Sequence, residues 1–146
     1  MYYSNPTEDM ALAHIRKEER KRKRQAEREA YEERRNLRPV IYLSSPYSDG
    51  DIQENVLKAQ YYSKFAAGKG VIPIAPHLLF TQFMDEVTER DEAMEMNMSL
   101  VGRCKELWVF GEKISAGMKA EIEMAKKLRR KIRYFSSDLE EVKSDV

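Results

Sequence analysis

Four short apolar runs, VIYLSSP from Val40, VIPIAP from Val71, ELWVFG from Glu106 and KIRYF from Lys131, are separated by stretches with helical spacing. This alternation constrains the fold more than any other feature. Each run is too short for a helix and apolar enough to be a strand buried on both faces. DIQENVLKAQYYSKFAAGKG places Ile52, Val56, Ala59 and Phe65 on one stripe and stops at Gly68 and Gly70, which predicts a helix. HLLFTQFMDE reads as a short helix or a lid, and TERDEAMEMNMSLVGRC as a further helix. Strands alternating with helices through short links require right-handed crossovers and a parallel sheet. The expected class is therefore α/β, a flavodoxin-like or Rossmann-like parallel sheet of four to five strands with helices on both faces. Ligands of such sheets sit at the carboxyl ends of the strands. That singles out the loops SSPYSDGD, APHLLF and GEKISAG.

Residues 1–37 have a different texture. MYYSNPT reads as a loose end, and Glu8 to Arg35 is rich in Ala, Glu, Lys and Arg without Pro or Gly, so it is expected to be helical. Ile15, Ala26, Ala30 and Tyr31 are too sparse for a coiled-coil seam. The division is a charged helical extension over 1–37 and an α/β domain over 38–146. Residues 15–36 hold ten Lys/Arg against six Glu, with Glu8 and Asp9 before them; since the chain totals +1, residues 37–146 stand at −1. That body has no electrostatic attraction for nucleic acid. Lys21–Arg24 forms a KRKR run, but the interleaved glutamates argue against a nucleic-acid partner and for a solvated face.

Cys104 is the only cysteine and reads as a small buried hydrophobe, while the two histidines, His14 and His77, lack ligand spacing. Neither an intrachain disulfide nor a Cys-based metal site can be assembled. With no apolar run of spanning length and no signal-peptide pattern, the expected location is cytoplasmic, without membrane contact. Trp108 reads as core, Tyr61 and Tyr62 as helix surface or interface, and the acidic tail after Phe135 as frayed or weakly helical.

ISAGMKAEIEMA, from Ile114, opens a helix expected to run to about Arg130, with Ser115 as its cap. Stepping about 100° per residue puts Met118, Ile122, Met124, Ala125 and Leu128 on one side. Lys119, Glu123, Lys126, Lys127 and Arg130 fall on the other. Glu121 lands inside the apolar arc, between Leu128 and Ala125. Burying an ion costs several kcal/mol unless it is paired or lines a wet cleft. Glu121 is therefore either held by a structural partner or turned toward the strand ends. In the second case the remaining uses for a lone carboxylate are general base or nucleophile, the latter typical of attack at an anomeric carbon.

IYLSSPYSDGD, VIPIAPHLLFTQFMDE, CKELWVFG and ISAGMKAEIEMA together resemble the nucleoside 2-deoxyribosyltransferase-like superfamily, across about Val40–Phe135. The closest look is to a bacterial and phage branch of unassigned function. The resemblance implies a flavodoxin-like domain of nucleotide metabolism, a transferase, hydrolase or glycosidase. Such a domain acts on the N-glycosidic bond of a (deoxy)nucleoside or nucleotide without a cofactor or metal. It implies Glu121 as nucleophile and Tyr42 as the residue that orients it. It also implies Gly117 and Met118 at the turn where substrate meets the helix. Active sites of the superfamily are often completed by a second subunit, so a homo-oligomer is expected.

Further substrate contacts are expected from Ser44, Ser45, Pro46 and Tyr47 in the first loop, Ser48 beside them, and Ser115 at the helix start. Tyr47 could stack on a base or cover the sheet edge. His77 fits either a rim residue or an acid for the departing base, and Asp85 either helix-terminal decoration or a base contact. Asn97 stands where the deoxyribosyltransferases carry an aspartate; an amide binds a base but cannot protonate it. Lys105 replaces the aspartate usual in the related branch. The first loop lacks a basic residue, and Asp49 and Asp51 would repel a phosphate, so a neutral nucleoside is as plausible as a nucleotide. The rival reading is a non-catalytic binder of a nucleotide or nucleotide-derived signal.

Overall fold

In the computed structural model, which describes residues 5–143, the chain divides at Leu37 into two units. The first is one helix, α1 (Pro6–Leu37). It starts two residues before the expected Glu8, with Pro6 in the first turn, where a missing N–H is harmless. Its described side chains are exposed apart from Glu18, which is partly covered. The stretch Met1–Ser4 of the expected loose end lies outside the described residues.

The second unit is an α/β sandwich: β1 (Val40–Ser44), α2 (Ile52–Gly68), β2 (Ile72–Ile74), α3 (Pro76–Leu79) with a 3-10 turn over Phe80–Gln82, α4 (Arg90–Arg103), β3 (Glu106–Phe110), α5 (Ala116–Lys127), β4 (Lys131–Phe135) and β5 (Glu141–Val142). The sheet order is β2-β1-β3-β4-β5, with the first four strands parallel. The chain leaves β1 for one side, then returns over the sheet to β3 on the other. The winding thus reverses between β1 and β3, and their carboxyl ends part to leave a crevice.

Alternation along β1 sorts its side chains onto two cores. Ile41 and Leu43 join Tyr62 and Ala66 of α2, with Trp108, Phe110 and Phe135. Tyr42 joins Leu107, Val109, Val101 of α4 and Met118, Ile122 and Ala125 of α5. Phe110 is fully buried; its ring stacks on Tyr62 at 4.6 Å and on Phe135 at 5.0 Å between centroids. Trp108 is core, as the sequence suggests.

Four expectations change. The buried stripe of α2 is Asn55, Ala59, Tyr62 and Ala66, while Ile52 is exposed. Tyr62 is therefore a core residue and only Tyr61 faces solvent, because the ring of Tyr62 fills the space above Phe110. The tail after Phe135 is not helical as far as residue 143: Glu141 and Val142 pair antiparallel with β4, and residues 144–146 lie outside the described residues. The Arg133 guanidinium donates to both Glu141 carboxylate oxygens at 2.8 and 2.7 Å and lies over the Trp108 ring, which fixes this edge. Finally, α5 ends at Lys127, because Arg129 adopts a left-handed conformation.

Among the described residues no helix is long and apolar enough to cross a membrane. Because Phe110 is the shared partner of three rings, Tyr62, Phe135 and, edge-on, Phe65, Phe110→Ala should destabilise the domain by about 3–5 kcal/mol. A lowered urea midpoint with an unchanged slope is the expected reading.

Candidate active site

Val40 to Ser44 extends because its apolar side chains are needed on both faces of the sheet, and the pleat turns Tyr42 and Ser44 the same way. They face α5. The Ser115 hydroxyl caps that helix by accepting from the Met118 N–H at 3.2 Å, and the Ser115 N–H points at the Met118 sulfur at 3.5 Å. This cap sets the phase of the helix. Glu121, one turn in, then lands over β1 with only 9% of its surface exposed.

The carboxylate is gripped at both oxygens. Tyr42 donates its phenol to Oε1 at 2.8 Å, and Ser44 its hydroxyl to Oε2 at 2.5 Å. Burial nevertheless pushes the Glu121 carboxyl up to about 7, the two hydrogen bonds pulling the other way. Burial, reinforced by the Glu121 charge, holds the Tyr42 phenol well above its usual range, so it remains a donor.

Glu121 forms part of the wall of a cavity of about 440 Å³ at the strand ends, within the range that holds a drug-sized ligand. Ser45, Tyr47, His77, Asp85, Asn97, Ser115, Gly117 and Met118 share that wall. Tyr47 stacks on the His77 ring at 5.5 Å, and Ser45 Oγ lies 3.2 Å from His77 Nε2. Burial lowers the His77 imidazole to about 4. It is uncharged at neutral pH and is not a ready proton source for a departing base, one of the two roles its position suggested. Asp85 accepts from the backbone N–H groups of Thr88 and Val87 at 3.0 and 2.8 Å, which holds its carboxyl below the usual aspartate range. It shapes the turn before α4 while reaching the cavity rim.

Two first-loop residues serve differently from expectation. Ser44 is 1% exposed and is occupied with Glu121, so it positions the carboxylate rather than touching a ligand. Pro46 does not line the cavity. Gly117 is not required by a positive φ, and a Cβ there would sit 3.7 Å from Met94 Cε, an ordinary contact. Asp51 caps α2 by accepting from the Glu54 N–H at 3.2 Å.

Sequence reasoning missed the loop's anchor. The Asn55 amide, from the buried face of α2, donates to the carbonyls of Tyr47 and Asp49 at 2.7 and 2.9 Å. It also missed Phe80, Met84 and Met94 on the apolar wall, and Arg90. The signal for Met94 was present: three residues before Asn97, it shares that residue's helix face. Asn97 carries a buried side-chain oxygen with no hydrogen-bond partner among the described residues, which is costly unless a ligand completes it. Asp49, Asp85 and Glu86 outnumber Arg90 around the cavity. No group of His, Cys, Asp and Glu among the described residues could hold a metal ion.

The fold and site define a doubly wound α/β domain with a buried carboxylate at its switch point. Residues 39–135 match the model of a domain of unknown function, DUF7768, and the chain belongs to that family. A comparison with curated proteins found no match.

A group whose folded value is raised stabilises the fold fully below its unfolded value, near 4.5 for Glu121, and loses that contribution as pH rises through about 7. The loss is on the order of 3 kcal/mol. Glu121→Gln has no charge to bury. It should gain stability over the parent across this window and show no such gain below it, as measured by urea denaturation at a series of pH values.

Proposed function

We propose that the domain cleaves or exchanges the N-glycosidic bond of a nucleoside, with Glu121 as nucleophile. The observation that carries this reading is a carboxylate buried at the switch point, hydrogen-bonded at both oxygens from one strand, and open to a nucleoside-sized cavity. In the first step a Glu121 oxygen bonds to the anomeric carbon as the N-glycosidic bond breaks, and the bonding pair leaves with the base. In the second, water or another base attacks that carbon, the ester bond breaks and the carboxylate is restored. Tyr42 and Ser44 hold the carboxylate plane through both steps. Donation from these two also keeps Glu121 from being a wholly neutral acid at neutral pH.

The charges around the cavity favour a neutral nucleoside over a nucleotide, because Asp49, Asp85 and Glu86 repel a phosphate more than Arg90 attracts one. Asn97 suits a base that presents a donor, and the methionine wall adapts to a planar ring. In this reading a second copy of the chain closes the cavity mouth; sedimentation velocity showing only monomer at working concentration would remove that part.

A second reading, a binder without turnover, is favoured by the lack of a poised acid: His77 is neutral and Asn97 is an amide. It expects ligand-dependent thermal stabilisation with no free base released.

The deciding experiment offers purified protein a panel of nucleosides and nucleotides and measures free base. Release is expected, with kcat/KM rising as pH climbs through about 7 because the nucleophile must ionise. Glu121→Ala should abolish release. Tyr42→Phe removes a donor to the carboxylate, so it should cut the rate by roughly 10- to 100-fold and move the rising limb to higher pH. Base release that survives Glu121→Ala refutes the mechanism.

A further inference from the structure

Most of the glutamates that interleave with lysine and arginine along α1 in the sequence separate from them on the helix. Stepping about 100° per residue from Arg16, nine of the ten Lys/Arg fall within an arc of roughly 160°. Only Arg22 lies outside it. Six of the eight carboxylates, Glu8, Glu18, Glu19, Glu29, Glu32 and Glu33, occupy the remaining side; Asp9 and Glu27 are the exceptions. The helix therefore has a basic face and an acidic back.

The basic face carries two carboxylates, Asp9 and Glu27, against nine cations, so most of its charge is not offset. Arg16, Arg20, Arg24 and Arg28 recur every fourth residue, about 6 Å apart along the axis, with Lys17 and Lys21 beside them. Like charges at this spacing repel. Among the described residues the ion pairs are Lys58 with Glu54 and Arg133 with Glu141, and neither involves α1. A face of this kind gains from a partner that supplies regularly spaced negative charge.

We propose that the basic face of α1 binds the phosphate backbone of double-stranded DNA without reading its sequence. A rigid rod suits a rigid polyanion, and a helix about 10–12 Å across matches a major groove about 12 Å wide. An A-form RNA duplex has no groove that admits it. The basic arc carries no side-chain amide, with Gln25 outside it, so phosphate contact dominates over base readout. A membrane surface fits poorly, because the back of the helix is acidic where an interfacial helix needs an apolar face. This proposal is independent of any chemistry at Glu121.

The test titrates the full chain into fluorescein-labelled 20-base-pair duplexes of two unrelated sequences and follows anisotropy. Both should bind with similar Kd, weakening on the order of 100-fold between 50 and 200 mM KCl for about four phosphate contacts. Replacing Arg20, Arg24 and Arg28 together with Gln should weaken binding at least about tenfold and flatten the salt slope by about 2 to 3. Replacing Glu18, Glu19 and Glu29 with Gln should leave binding intact or tighten it. Circular dichroism should show the helix retained in both variants, since Gln is a good helix former. The proposal is overturned by no binding at 50 mM KCl, by equal loss in the two triple variants, or by tighter binding to a single strand. Salt-reversible self-association or adsorption to anionic vesicles without duplex binding would overturn it too.

Discussion

The site rests on a conflict between burial and charge at Glu121. Removing a carboxylate from water costs several kcal/mol, and two hydrogen bonds from β1 offset only part of it, which is why the group titrates near neutrality. Most of the neighbourhood follows from that one tension. Tyr42 must stay protonated to donate. Ser44 must turn inward, and α5 must start with a cap that sets its phase. A glutamine there would relieve the tension and leave a polar side chain of the same shape.

The same strand serves both faces of the sheet. Ile41 and Leu43 secure it against the aromatic cluster under α2, while Tyr42 and Ser44 present hydroxyls on the other side. Rigidity and chemistry are thus contributed by alternate residues of one five-residue segment. The aromatic stack of Tyr62, Phe110 and Phe135 lies on the opposite face of the sheet, so the donors are backed by a buried aromatic cluster.

The α/β class, the strand positions and the inward turn of Glu121 were legible because periodicity carries them: buried parallel strands are short apolar runs, and a carboxylate inside an apolar arc stands out. The pairing of Tyr42 with Glu121 came from resemblance, since 79 residues of separation leave no local trace. The bond from Ser44 to Glu121 was not legible, because pleat alone does not say whether a hydroxyl faces a cavity or a neighbour. Asn55 was invisible for a related reason: a buried amide on a helix is decided by which loop carbonyls need donors. Two-residue β5 has no period to read, and α2 was read out of phase because Ile52 looks apolar but lies at a helix start beyond the sheet.

Tyr42 and Ser44 stand two residues apart on a single strand and each addresses a different oxygen of Glu121. The carboxyl group therefore cannot swivel: its plane is set by the pleat of the sheet, and any molecule entering the crevice must conform to that orientation. Under the proposed function, preference among entering molecules would fall to the loops around the mouth, above all the first, which Asn55 ties to α2. Substitutions in those loops leave the two hydrogen bonds that fix the plane beneath them in place, because both donors lie on β1.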